Sequence, residues 1–226
     1  MPLPAEVHPP GRSGDNPSGL LVMVPGMGMR EADFQAQGMV AAVERRGWPM
    51  TVATVDPGVD AYLDGSLEAR LLDGIAKARR AAGAQRIWLA GISLGCQGIL
   101  RCVRARPGLA EGLMLITPYL ASTGVIADIV RTGGLRCWAA ANGGRDEPDR
   151  ALLTWLATTP LTELPRLQVG RALGDRFAMT AALLAELIPA GQTVDVPGEH
   201  DWTSWNALWQ LMLDQDPFGC QAALVS

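Results

Sequence analysis

Ile87-Trp88-Leu89-Ala90-Gly91-Ile92-Ser93-Leu94-Gly95 is the stretch on which the fold turns. A short apolar run of the buried-strand type enters a Gly-x-Ser-x-Gly pentapeptide, Gly91 to Gly95, and a helical pattern leaves it and must stop by Pro107-Gly108. In such a strand-to-helix elbow the serine is held strained and exposed. The flanking glycines are required because a Cβ at either place would strike neighbouring backbone. The helix that begins there offers N–H groups and the positive end of its dipole to a developing anion.

Working outward, apolar runs alternate with longer helical patterns. Leu20–Val24 is a strand candidate followed by the turn Pro25-Gly26-Met27-Gly28. A helix is expected from Glu31 to Arg46, ending at Gly47, then a β-branched strand at Thr51–Val55. Ser66 can cap a helix to Ala82, closed by Gly83. Beyond the elbow, strands are expected at Gly112–Thr117, Leu167–Leu173 and Thr193–Val196, with helices from Ala178 to Ile188 and from Thr203 to Leu213. This rhythm predicts an α/β fold, a three-layer α/β/α sandwich around a mostly parallel sheet. Residues 1–19 read as a loose tail and 20–226 as one domain. Between Tyr119 and Arg166 the rhythm breaks, and a structureless loop of that length is unusual, so 119–166 reads as an inserted helical cap.

Composition narrows the function. The chain has 226 residues, 48% hydrophobic and 19% charged, with a net charge of −4. Its basic residues are scattered apart from Lys77, Arg79 and Arg80, which read as one solvated helix face, so no nucleic-acid partner is expected. No run reaches the roughly 20 apolar residues of a membrane span, and the first ten residues lack the layout of a signal peptide. The four cysteines, Cys96, Cys102, Cys137 and Cys220, show no CxxC spacing and are expected to be reduced and buried in a cytoplasmic protein. Nothing in the sequence sets the oligomeric state.

A nucleophilic serine needs a base. The chain has two histidines, and His8 falls in the tail, which leaves His200, in a loop after the last strand. An orienting carboxylate is expected between Ser93 and His200 in chain order. Asp175 follows the strand Leu167–Leu173 and best suits that role. Asp195 falls within a strand, Glu199 and Asp201 adjoin the histidine too closely, and Asp146 and Asp149 belong to the cap. Two backbone N–H groups should hold the oxyanion, from Leu94 after the serine and from Met27 in the glycine-rich turn. That turn is not a phosphate loop, because no Gly-Lys-Ser/Thr follows it and Gly-x-Gly-x-x-Gly is absent.

Taken in order, the loop Pro25–Met29, the elbow Gly91–Gly95, Leu173-Gly174-Asp175-Arg176-Phe177 and Gly198-Glu199-His200-Asp201-Trp202 resemble the α/β-hydrolase superfamily over Leu20 to Leu213. The last segment, with Trp205, is similar to the Gly-x-His-Asp-Trp-x-x-Trp ending of small esterases of the esterase D type. The resemblance implies Ser93, Asp175 and His200 as the triad. Two departures stand out. Pro25 occupies a place where many lipases and esterases carry histidine, and the chain is expected to begin at the family's third strand, without its first two. Trp202, Trp205 and Trp209, at helical spacing, are expected to be core packing.

The expected activity is hydrolysis of a small-molecule acyl ester through an acyl-enzyme at Ser93, with no metal and no organic cofactor. An acyltransferase built on the same triad and a non-catalytic ligand-binding member of the fold are the alternatives. Leu, Ile, Val and Trp dominate the apolar positions of the cap, which favours an uncharged acyl group.

Overall fold

The computed structural model describes residues 6–8, 19–142 and 147–220. Its centre is a seven-stranded sheet, β1 (Glu6–His8), β2 (Gly19–Val24), β3 (Met50–Thr54), β4 (Arg86–Ile92), β5 (Gly112–Ile116), β6 (Arg166–Ala172) and β7 (Thr193–Val196), in the order β1-β3-β2-β4-β5-β6-β7. All pairings are parallel except β1 with β3. Six parallel strands therefore follow the expectation. The first three residues of pairing do not, because Glu6–His8 lies where a tail was expected and forms an antiparallel edge strand. One such strand stands where the family's opening hairpin was thought to be missing.

The strands are apolar on both sides because helices cover both faces. Alternation sorts β2 cleanly, with Leu20, Val22 and Val24 in one core and Leu21 and Met23 in the other. The first core is closed by α4 (Leu67–Ala82), α5 (Leu94–Ala105) and α9 (Ala178–Ala185). Trp209 and Met212, of α10 (Trp202–Asp214), close the second against α1 (Glu31–Ala36) and α2 (Met39–Glu44).

One helix was expected over 31–46, but two form. Gly38 takes φ 76, a left-handed conformation that breaks the helical ladder between α1 and α2. The turn lets Met39, Val40 and Val43 bury while Met39 presents its carbonyl to the Trp209 indole N–H at 2.9 Å. Ser66 precedes α4 as expected but makes no side-chain cap. Its hydroxyl instead donates to Asp64 Oδ1.

The stretch from Tyr119 to Arg166 is helical, with α6 (Thr123–Arg131), α7 (Leu135–Asn142) and α8 (Pro148–Thr158). Asp146 lies outside the described residues. Ile129, Trp138, Leu152 and Leu156 face inward and join the first core, so they do not line a substrate pocket. The uncharged acyl group inferred from them loses its basis. Cys96, Cys102 and Cys220 are buried thiols, whereas Cys137 is exposed on α7, on the side away from the buried Trp138. Burial pushes the Cys102 thiol up to about 12 and raises that of Cys96 as well. No helix among the described residues is long and apolar enough to cross a membrane.

Candidate active site

The sheet order reverses between β2 and β4. In open α/β sheets that reversal leaves a crevice at the carboxyl ends of the strands, where ligands bind. The register brings Val24 opposite Gly91, so the Pro25–Met29 turn and the residue after Ile92 emerge side by side. That residue is Ser93. Its φ of 53 and ψ of −117 place a non-glycine residue in a strained conformation, and neighbouring hydrogen bonds hold it there. The Ser93 N–H donates to the Ile116 carbonyl at 3.0 Å, and the Ser93 carbonyl accepts from the Tyr119 N–H at 3.1 Å.

The glycines around it are required by space. A Cβ on Gly91 would lie 2.8 Å from Cys96 N, and one on Gly95 would lie 2.3 Å from the Val24 carbonyl oxygen. Because the obstacle at Gly95 is backbone of the central strand, it cannot turn aside. Gly95→Ala is therefore expected to destabilise the fold by about 3 kcal/mol, visible as a lowered midpoint in urea unfolding. A midpoint equal to wild type would show that α5 can lift from β2 at no cost.

His200 reaches the serine from the loop after β7. Gly198 takes φ 119 there, and a Cβ on it would meet Ser204 Oγ at 2.4 Å, so the loop can turn only with glycine. Asp201 caps α10 by accepting from the Ser204 N–H at 2.9 Å, while Ser204 Oγ accepts from the Glu199 N–H at 3.0 Å. These bonds fix both sides of the histidine. His200 Nε2 lies 3.0 Å from Ser93 Oγ, and Nδ1 lies 2.6 Å from Asp175 Oδ2. The other Asp175 oxygen accepts from the Phe177 N–H at 2.7 Å, which sets the carboxylate's orientation. With Nδ1–H donating to the carboxylate, Nε2 is left to accept from the serine hydroxyl. Ser93 and Asp175 are both buried, at 7% and 6% exposure.

Sequence reasoning missed the aromatic cradle of the imidazole. Phe177 and Trp205 meet its ring edge-on from two sides, at centroid distances of 4.9 and 5.0 Å. Trp205 is held in turn by its indole N–H donating to Thr117 Oγ1 at 2.9 Å. Trp209 is the core residue expected of it, but Trp205 also orients the histidine. His8 sits on the edge strand β1, separated from β4 by β3 and β2. Asp195 belongs to β7 and pairs with Arg171 of β6, as its place in a strand implied.

Met27 and Leu94, the expected oxyanion donors, both border the space above Ser93. Met27 is 70% exposed. Met29 Sδ accepts from the Gly26 N–H at 3.2 Å and braces the turn from within. The space itself is a groove of about 400 Å³. Val59, Tyr62, Leu63, Tyr119, Pro148 and Asp149 line it. Leu63, on α3 (Ala61–Asp64), is 86% exposed and forms an apolar lip.

No protein-family model matches the chain, and no curated protein matches it in sequence. Solved structures do. The chain is similar to FphF, a fluorophosphonate-binding serine hydrolase of Staphylococcus aureus, with a TM-score of 0.66 at 13% identity over 92% of this chain and 90% of that one. It is similar to Est1E from Butyrivibrio proteoclasticus, with a TM-score of 0.62 at 15% identity over 94% and 93%. An S-formylglutathione hydrolase of Staphylococcus aureus gives 0.62 at 14% over 92% and 82%. The protein has the α/β-hydrolase fold.

Proposed function

We propose that this protein is a serine hydrolase that cleaves acyl esters of small molecules, with Ser93 as nucleophile, His200 as general base and acid, and Asp175 as its orienting carboxylate. The observation that carries the reading is the unbroken chain from Ser93 Oγ through His200 to Asp175, at 3.0 and 2.6 Å, above the reversal point of the sheet. The esterases and serine hydrolases among the structural neighbours support it.

In this reading Ser93 Oγ attacks the ester carbonyl carbon while its proton passes to His200 Nε2. Asp175 stabilises the imidazolium, and the Met27 and Leu94 N–H groups receive the oxyanion. The tetrahedral intermediate collapses by breaking the bond to the alcohol oxygen, which takes the proton from Nε2. Water, deprotonated by the same nitrogen, then releases the acid and restores the serine. Each oxyanion donor is worth roughly 3 kcal/mol of barrier. The four free cysteines suit a reducing compartment such as the cytoplasm.

A fluorophosphonate probe tests this reading. Stoichiometric loss of fluoride, with the phosphonyl adduct on Ser93 in the digested protein, is the expected result, together with turnover of p-nitrophenyl esters. A protein that neither labels at Ser93 nor hydrolyses any ester would be a binding member of the fold instead.

A further inference from the structure

Beyond the serine the groove follows α5. Gln97 and Arg101 stand four and eight residues after Ser93, which places them about 6 and 12 Å along the helix axis. Both line the groove, as does Asp149. The Gln97 amide spends its nitrogen on the protein, donating to the Leu120 carbonyl at 2.8 Å and to Asp149 Oδ1 at 3.0 Å. Its oxygen accepts from no donor among the described residues, yet it is not one of the buried atoms sealed without a partner, so it borders the groove. Asp149 Oδ2 is in the same condition.

Two acceptors with no donor among the described residues therefore belong to side chains that line the same groove. The Arg101 guanidinium bonds to neither; its Nε and Nη2 donate to Glu68 at 2.8 and 3.1 Å. Burial raises the proton affinity of Asp149, with Glu147 adding to it. Arg101 and the Gln97 bond pull it back. Arg176, at the mouth, is exposed and lies over the Phe177 ring. A half-buried carboxylate with an unserved oxygen gains most from a donor that a ligand brings.

In the acyl-enzyme the acyl group is carried on Ser93 Oγ, and Ser93 lines this groove, so we seat the acyl chain in it. Resting on the serine-hydrolase reading, we propose that the preferred acyl group carries a hydrogen-bond donor, a hydroxyl or primary ammonium, at a place about one helical turn along α5 from Ser93, bound by Gln97 Oε1 and the Asp149 carboxylate.

Three p-nitrophenyl esters of equal chain length test this: heptanoate, 6-hydroxyhexanoate and 6-aminohexanoate, differing only in a terminal methyl, hydroxyl or ammonium. Wild-type protein is expected to favour at least one donor ester over heptanoate by about tenfold or more in kcat/KM. The two donor arms separate a hydroxyl from a cation. Asp149→Asn turns a groove-facing acceptor into an N–H donor and is expected to bring that ratio close to one, with thermal unfolding checking that the variant folds. The wild-type ratio decides the matter if it does not. Turnover without preference for either donor overturns the inference and leaves the hydrolase reading standing. A preference that survives in folded Asp149→Asn overturns the role of Asp149. No turnover of any ester, with Ser93 unlabelled, removes both readings together.

Discussion

Asp175→Asn is expected to lower kcat by about 10⁴-fold while the protein stays folded. The direction follows from the two bonds of the carboxylate. One oxygen accepts from the Phe177 N–H at 2.7 Å, and a backbone donor will claim the one oxygen that asparagine retains. The amide nitrogen is then left facing His200 Nδ1, where an N–H meets what was an N–H. The imidazole answers by moving its proton to Nε2, the nitrogen that must accept from Ser93. Geometry is kept and the tautomer is wrong. Steady-state kinetics on an activated ester, beside a urea unfolding curve, measures both halves of this expectation. A variant with wild-type kcat would move the orienting role to another carboxylate.

Ser93→Ala should have a larger effect still, a fall of about 10⁶-fold in kcat, and His200→Ala one of similar size. In the proposed mechanism the two share a single proton transfer across 3.0 Å, so the loss of either disables the step. The double variant is accordingly expected to be no slower than the slower single one. Losses that multiplied instead would mean that serine and histidine act in separate steps. Residual turnover above the uncatalysed rate should persist in all three variants if, as proposed, the Met27 and Leu94 N–H groups hold the oxyanion.

Much of this site was legible because its signals are local. The elbow is nine consecutive residues, with glycines at the two places where a Cβ would strike Cys96 N and the Val24 carbonyl. His200 stood out through the scarcity of histidines, and Asp175 through its place after a strand. The strands were read from their apolar runs, and the close of the 66–82 helix from Gly83. What escaped depends on pairings distant in the chain. The Gly38 break accompanies a bond from Met39 to α10, about 170 residues away, and β1 has three residues whose strand partner, among the described residues, is β3. Trp205 at helical spacing has one reading as core. Nothing local says that its ring also meets the imidazole. The Gln97–Asp149 bond spans 52 residues and joins the nucleophile helix to the cap, so the pattern of apolar residues in the cap pointed to the wrong lining.

The same distances bear on how the protein comes into being. β2 pairs with β4 at Gly19 and Arg86, and His200 meets Ser93 across 107 residues. Parallel strands so far apart must close long loops before any contact rewards them, which makes folding slow compared with that of a helical bundle of this size. During synthesis the serine elbow can be complete while its proposed base has yet to be made. Nascent chains that stop short of α10 lack the last braces of the histidine loop, the Asp201 cap and the Trp205 ring. On the proposed function, competence for chemistry arrives with α10.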